Sequence, residues 1–187
     1  MGQRRTQVLH TAIDLLDEVG LDGLTMRLLA DRLGVRASAL YRHYPSKQAL
    51  LDAMVAHLVT PPDTGAALDG PWDHQLRAVA HGIRHLMLAH RDGARLIAGF
   101  HDPGEHAVAS FHHLIDTLTT AGAPPATAAV AVDTVLAYVN GYTTEEQARA
   151  TDPGAPARPQ RDQAFHDGLD LIITGIRTHL SATKPPA

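Results

Sequence analysis

Apolar residues recur every three or four positions along most of the chain. No stretch alternates apolar and polar residues with the β-branched enrichment of a strand. Val8, Leu9, Ala12, Ile13, Leu16 and Val19 form one stripe, and Leu76, Val79, Ile83, Leu86 and Met87 form another. Val108, Phe111, Leu114, Ile115 and Leu118 form a third. Such spacing gathers each set on one helical face, so the expected fold is all-α. With 187 residues the chain is long enough to bury a real core. No apolar run approaches the roughly 18 residues of a membrane-spanning helix. The first sixteen residues lack a basic start followed by an apolar block, so no secretory leader is expected and the expected location is the cytoplasm. The absence of Cys excludes disulfides, thiolate metal sites and cysteine nucleophiles.

Local signals divide the periodic pattern. Gly20 reads as the stop of the first helix. Thr25 is suited to cap a second, short helix, with Leu24 stapled against Leu29 and a buried face of Leu28, Leu29 and Leu33. Gly34 ends it. A third helix, Ala37–Tyr44, stops before Pro45, and Ser46 caps a fourth that carries Leu50, Leu51, Met54 and Leu58. Pro61 and Pro62 end the fourth, and residues 61–70 read as a loop. Later helices are expected over 72–90, 94–100, from Asp102-Pro103 to near Gly122, from Pro124-Pro125 toward Arg149, and over 165–180. Residues 151–161 read as a mobile Pro-rich loop, and the tail from Ser181 as frayed.

The net charge of −4 is unevenly spread. Residues 1–50 hold seven basic residues against five acidic, and the remainder nine against fifteen, so a basic start precedes an acidic body. Local charge decides whether phosphate is attracted. Two short helices around Leu33-Gly34-Val35, with a long helix before them, give the layout of a helix-turn-helix, whose second helix enters the DNA major groove. The second helix opens on Ala37, Ser38 and Ala39, small enough for close approach, and continues with Tyr41, Arg42 and His43.

The run from Thr25 through Leu33-Gly34-Val35, Ala39-Leu40-Tyr41-Arg42-His43-Tyr44, Ser46-Lys47 and Leu50-Leu51 resembles the DNA-binding domain of the tetracycline-repressor (TetR) family. The resemblance covers about a quarter of the chain. It implies an all-helical homodimeric repressor with a three-helix N-terminal DNA-binding domain and a C-terminal helical domain for ligand binding and dimerisation. It places Arg27 and Tyr41 near phosphates or adjoining bases, His43 near the groove floor and Lys47 on a phosphate. Arg36, Ser38 and Arg42 fall at variable positions suited to reading sequence, Arg being able to make paired contacts with guanine. Tyr44, beside Pro45, reads as a core plug.

His90-Arg91-Asp92-Gly93-Ala94-Arg95 resembles the tetracycline-binding branch of that family. Ile97 stands where that branch has a ligand-contacting His, Phe100 where it has a small hydroxyl residue, and Val79 and Ile83 where it has an amide and a Phe. These differences remove the polar handles for a tetracycline–magnesium chelate and imply a more apolar or aromatic effector. Glu145 keeps an acidic position, and His101 and His112 are candidates for polar contacts in a ligand pocket.

Thirteen His residues raise a metal alternative. His81 and His85 lie one turn apart, and His101, His106, His112 and His113 cluster in sequence. A small helical metal-dependent enzyme is therefore the alternative function, but no nucleophile elbow, phosphate-cradling loop or paired carboxylates accompany the His. The expectation is a non-enzyme with no cofactor and no metal site, partnered by double-stranded operator DNA, a small effector and a second copy of itself. The small residues of the helix over 126–148 and the apolar residues of the last helix are expected to form an intersubunit four-helix bundle. The expected domains are 1–46 for DNA binding, 47–62 as a connecting helix, 63–180 for ligand binding and dimerisation, and 181–187 as a disordered tail.

Overall fold

The computed structural model describes residues 2–60, 69–152 and 154–183, and these fold into nine helices with no strand. The expected stops at Pro61 and Pro62 and most of the 61–70 loop lie outside the described residues. Helices α1 (Gly2–Gly23), α2 (Met26–Arg32), α3 (Ala37–Tyr41) and α4 (Lys47–Val59) open the chain. They are followed by α5 (Trp72–Ala89), α6 (Gly93–Ala98), α7 (Gly104–Thr120), α8 (Pro125–Ala148) and α9 (Arg158–Thr183).

Two compact units divide the chain. The first takes residues 1–63 and 85–108, the second 64–84 and 109–187. A linear division at residue 63 does not anticipate that 85–108 packs with the N-terminal helices.

In the first unit, α1 packs on α2 and α4, α2 on α3, and α4 on α6. Leu15, Leu16, Leu24, Leu29, Leu50 and Met54 are fully buried there. Each large apolar side chain so buried contributes about 1.5–3 kcal/mol of transfer free energy. The buried face of α2 is Met26, Leu29 and Ala30, whereas Leu28 and Leu33 are only half-buried. That corrects the expected set by about one position on the helical wheel, since Met26 turns inward with Leu29 and Ala30 three and four residues on.

In the second unit, α8 and α9 pack together. Tyr138 donates its hydroxyl to the Phe165 carbonyl at 3.0 Å, and Tyr142 to the Arg161 carbonyl at 2.9 Å. Gly168 admits this packing, because a Cβ there would stand 2.2 Å from the Tyr138 hydroxyl. The bounds of α9 and the start of α7 differ from expectation. α9 begins at Arg158 rather than Phe165 and runs through Thr183, past the expected end at Leu180. Residues 184–187 of the expected tail lie outside the described residues. α7 starts at Gly104 after Pro103, where the Asp102 carboxylate accepts the Gly104 N–H at 2.9 Å.

Candidate nucleic-acid interface

The segment from Thr25 to Lys47 is shaped by short-range hydrogen bonds. Thr25 caps α2 by accepting the Leu28 N–H at 3.1 Å. At the far end Gly34 takes φ +65°, its N–H bonds the Asp31 carbonyl, and the Val35 N–H bonds the Ala30 carbonyl. These paired bonds form a Schellman stop, which leaves room for the turn into α3. α3 is shorter than expected and ends at Tyr41. The His43 and Tyr44 N–H groups both turn back onto the Leu40 carbonyl at 2.9 Å, so the chain leaves the helical path before Pro45. Ser46 then caps α4 by accepting the Ala49 N–H at 3.0 Å. Caps of this kind are worth about 1 kcal/mol each.

This framework exposes most of the expected DNA-contacting set. Arg27, Arg36, Ser38, Tyr41, Arg42 and His43 are all exposed, Tyr41 to 48%. Tyr44 is the opposite case. It is 1% exposed, as a core plug should be, and the Arg5 guanidinium lies 5.4 Å from its ring centroid.

The basic residues sort into two groups. Arg32 is committed to Glu18 through two hydrogen bonds of 2.8 and 2.6 Å, which hold the Glu18 carboxyl below its ordinary range. Lys47 is half-buried and donates to the Leu21 carbonyl at 2.9 Å. An ammonium has three N–H donors, so this bond orients Lys47 and leaves others for an anion. Arg27, Arg36 and Arg42 make no side-chain hydrogen bond or ion pair among the described residues. Arg27 on α2 and Arg36 and Arg42 on either side of α3 thus present exposed positive charge that no acid pairs among the described residues.

A polar clamp ties the end of α1 to the segment between α5 and α6, within the same unit. Asp17 accepts the Arg91 N–H at 2.9 Å and lies 2.9 Å from His90 Nδ1. Arg91 donates to the Glu18 carbonyl at 2.8 Å, and Arg95 makes a two-point contact with Asp22 at 3.1 and 3.0 Å. That contact lowers the Asp22 carboxyl from its ordinary range. Asp52 of α4 accepts the His101 N–H at 2.9 Å and the Gln48 amide at 2.8 Å. Sequence reasoning missed these positioning residues. Acids at 17, 18 and 22 opposite bases at 90, 91 and 95 were the available signal, but only the fold pairs them.

The expected ligand-binding residues fall in both units. Val79 and Ile83 are half-buried on α5 in the second unit, where His112 and Glu145 are exposed. Ile97 is buried, and Phe100 and His101 are exposed, in the first unit. Glu145 points outward and pairs with Arg149, whereas its neighbour Glu146 turns inward. Glu146 holds Arg84 through two bonds of 2.9 Å, and Arg84 reaches Asp162 at 2.6 Å. The inward acid of this helix is therefore Glu146.

His81 packs edge-on to Phe165 and stacks on His166, with His85 exposed. Among the described residues no three or more His, Asp or Glu are grouped to hold a metal ion. The metal-dependent alternative thus gains no geometric support. No described helix is long and apolar enough to cross a membrane.

Comparison with known proteins agrees with this architecture. Residues 8–54 match the family described as bacterial regulatory proteins, tetR family. Residues 62–161 match the tetracyclin repressor-like C-terminal domain. The chain is 36% identical over 191 residues to the tetracycline repressor protein class A from transposon 1721 of Escherichia coli, covering 90% of this chain and 88% of the relative. It is similar to a single-substitution variant of TetR from Acinetobacter baumannii AYE in complex with minocycline, at 35% identity and a TM-score of 0.81, covering 92% of this chain and 96% of that one. It is also similar to BioQ bound to its natural double-stranded DNA operator, at 30% identity and a TM-score of 0.71, covering 94% and 98%. With exposed arginines flanking α3 and full-length similarity of this kind, the chain belongs to the TetR family and is a DNA-binding transcriptional regulator.

Proposed function

We propose that this regulator is a repressor that binds a palindromic operator as a homodimer and is released by a small, mostly apolar or aromatic effector. The carrying observation is the exposed set Arg36, Ser38, Tyr41 and Arg42 on and beside α3, whose side chains make no hydrogen bond or ion pair among the described residues. In this reading Arg36, Ser38 and Arg42 read base edges. Arg27, Tyr41 and Lys47 hold phosphates, and His43 lies near the groove floor. A dimer would set two such heads about 34–36 Å apart, one turn of DNA. Val130 on α8 and Leu171 on α9 are 64% and 77% exposed in the single chain, which fits an interface between two copies of these helices.

The functional division follows the same reading. Residues 1–46 bind DNA, 47–62 connect, and 63–180 bind effector and partner. The contacts of α4 with α6 and of Asp52 with His101 supply a mechanical route to the reading head. An effector that prefers another spacing of the heads would shift the population away from DNA binding. Ile97 and Ile83 favour an apolar or aromatic effector over a metal chelate, because neither side chain can bind a metal or donate a hydrogen bond.

Selection of a binding site from random duplexes, followed by fluorescence anisotropy, tests the first part. Arg42→Ala should change the preferred sequence, while Lys47→Glu should weaken all duplexes about equally. Unchanged operator affinity for both variants at low salt would refute the interface. Leu171→Asp should shift the protein to monomer by sedimentation and abolish cooperative operator binding. Tight binding of tetracycline–magnesium, seen by titration, would refute the effector class while leaving the DNA reading intact.

A further inference from the structure

A concavity of about 360 Å³ lies in the DNA-binding head, between the first turns of α1 and the end of α3. Arg4 and Gln7 line it from α1, and Arg42 and His43 from the far side. Its floor includes Val35 and Ala39. The lining includes two arginines and no acid. Arg4 is exposed and, like Arg42, makes no side-chain hydrogen bond or ion pair among the described residues. Its neighbour Arg5 is occupied on the Tyr44 ring, which fixes the first turns of α1 against the segment that follows α3.

Two arginines lining one concavity with no acid among its lining make it a seat for negative charge. A phosphate suits it best, because the planar fork of each Arg matches phosphate oxygens. We infer that Arg4 and Arg42 share one backbone phosphate of the bound duplex, with the Gln7 amide as an additional donor. The inference rests on the reading that α3 enters the major groove, and it adds α1 to the surface that meets DNA. Through Arg4 the contact fixes register and orientation and reads no base, while Arg42, with five N–H donors, holds the phosphate alongside its base edge.

The test uses the full chain and a fluorescein-labelled 30-base-pair duplex of random sequence, followed by anisotropy over a series of NaCl concentrations. Arg4→Ala should weaken binding at low salt and flatten the plot of log affinity against log salt by about 0.9 per engaged head. Arg4→Lys should keep most of the slope, since a charge remains. Combining Arg4→Ala with Arg42→Ala should cost less than the two single losses together, because both side chains serve one phosphate. Circular dichroism checks the fold, and Arg4→Gln, which keeps the aliphatic stem and a polar end without the charge, replaces the alanine variant if that one unfolds. If the slope is unchanged in Arg4→Ala or Arg4→Gln while Arg42→Ala flattens it, the shared phosphate is refuted and the α3 reading stands. If neither position alters affinity or slope, both fall. Strict additivity of the two losses would also overturn the shared seat.

Discussion

The carboxylate of Asp92 accepts the backbone N–H of Leu21 at 2.9 Å, one residue after the chain breaks helical geometry at Gly20. Asp92 itself has φ +56°, and Gly20 has φ +74°. Two left-handed residues from distant segments of the chain thus meet in one hydrogen-bonded turn. A Cβ on Gly20 would stand 2.7 Å from the Asp92 carboxylate, so both backbone and space demand glycine. Gly20→Ala is expected to lower stability by about 1–3 kcal/mol, read from urea unfolding. Asp92→Ala should lose about 1–2 kcal/mol by leaving the Leu21 N–H without its partner.

Tyr44 offers a substitution of opposite sign. Its ring is buried, and its hydroxyl is buried with no hydrogen-bond partner among the described residues. A buried unsatisfied hydroxyl costs about 1–3 kcal/mol. Tyr44→Phe keeps the packing and the Arg5 contact and removes that cost. Its thermal midpoint should rise, and non-specific DNA affinity should stay the same. A fall in the midpoint would show that the hydroxyl is used.

Glu145 and Glu146 should behave very differently despite being neighbours. Glu146 is buried and holds both Arg84 and Arg161, with Arg84 also 4.7 Å from the Phe165 ring centroid. Burial opposes the charge on Arg84, while its bonds to Glu146 and Asp162 more than restore it and raise its pKa. Glu146→Gln should destabilise by about 3 kcal/mol, because it leaves a buried guanidinium short of charge. Glu145→Gln removes only an exposed pair with Arg149 and should change stability by less than about 1 kcal/mol. Chemical denaturation of the two variants side by side checks the contrast.

Two histidines predict a stability loss in mild acid. Burial, reinforced by His10 with its ring 5.1 Å away, holds His57 below its ordinary value of 6.5. Burial and the nearby His166 lower His81 in the same direction. The unfolded chain therefore binds protons that the folded chain refuses. The folded state is favoured above about pH 6.5 and loses that advantage as the pH falls from there through the lowered values. The lowered carboxylates of Asp22 and Asp52 add a second loss at more acidic pH. Urea unfolding between pH 7.5 and 5 should show a decline that His57→Gln combined with His81→Gln flattens.

Most of the local architecture was legible in the residues themselves. The caps at Thr25 and Ser46, the stop at Gly34 and the inward turn of Tyr44 depend on groups within a few positions of one another. The exposure of Arg36, Tyr41 and Arg42 followed from the same short-range pattern. The rest depended on contacts that no local spacing encodes. Arg32 is committed to Glu18, Arg95 to Asp22 and Arg84 to Glu146, pairs separated by 14, 73 and 62 residues.

The sequence by itself determined the helical class, the turn between α2 and α3 and the kinds of side chain presented there, because periodicity, capping and left-handed glycines act over one or two helical turns. Only the tertiary structure decided which basic residues stay free, that Glu146 rather than Glu145 faces inward, and that residues 85–108 pack with the first unit. Those outcomes depend on which distant charges and apolar faces meet, and a charge is available to a partner molecule only when no nearer group in the folded chain has already neutralised it.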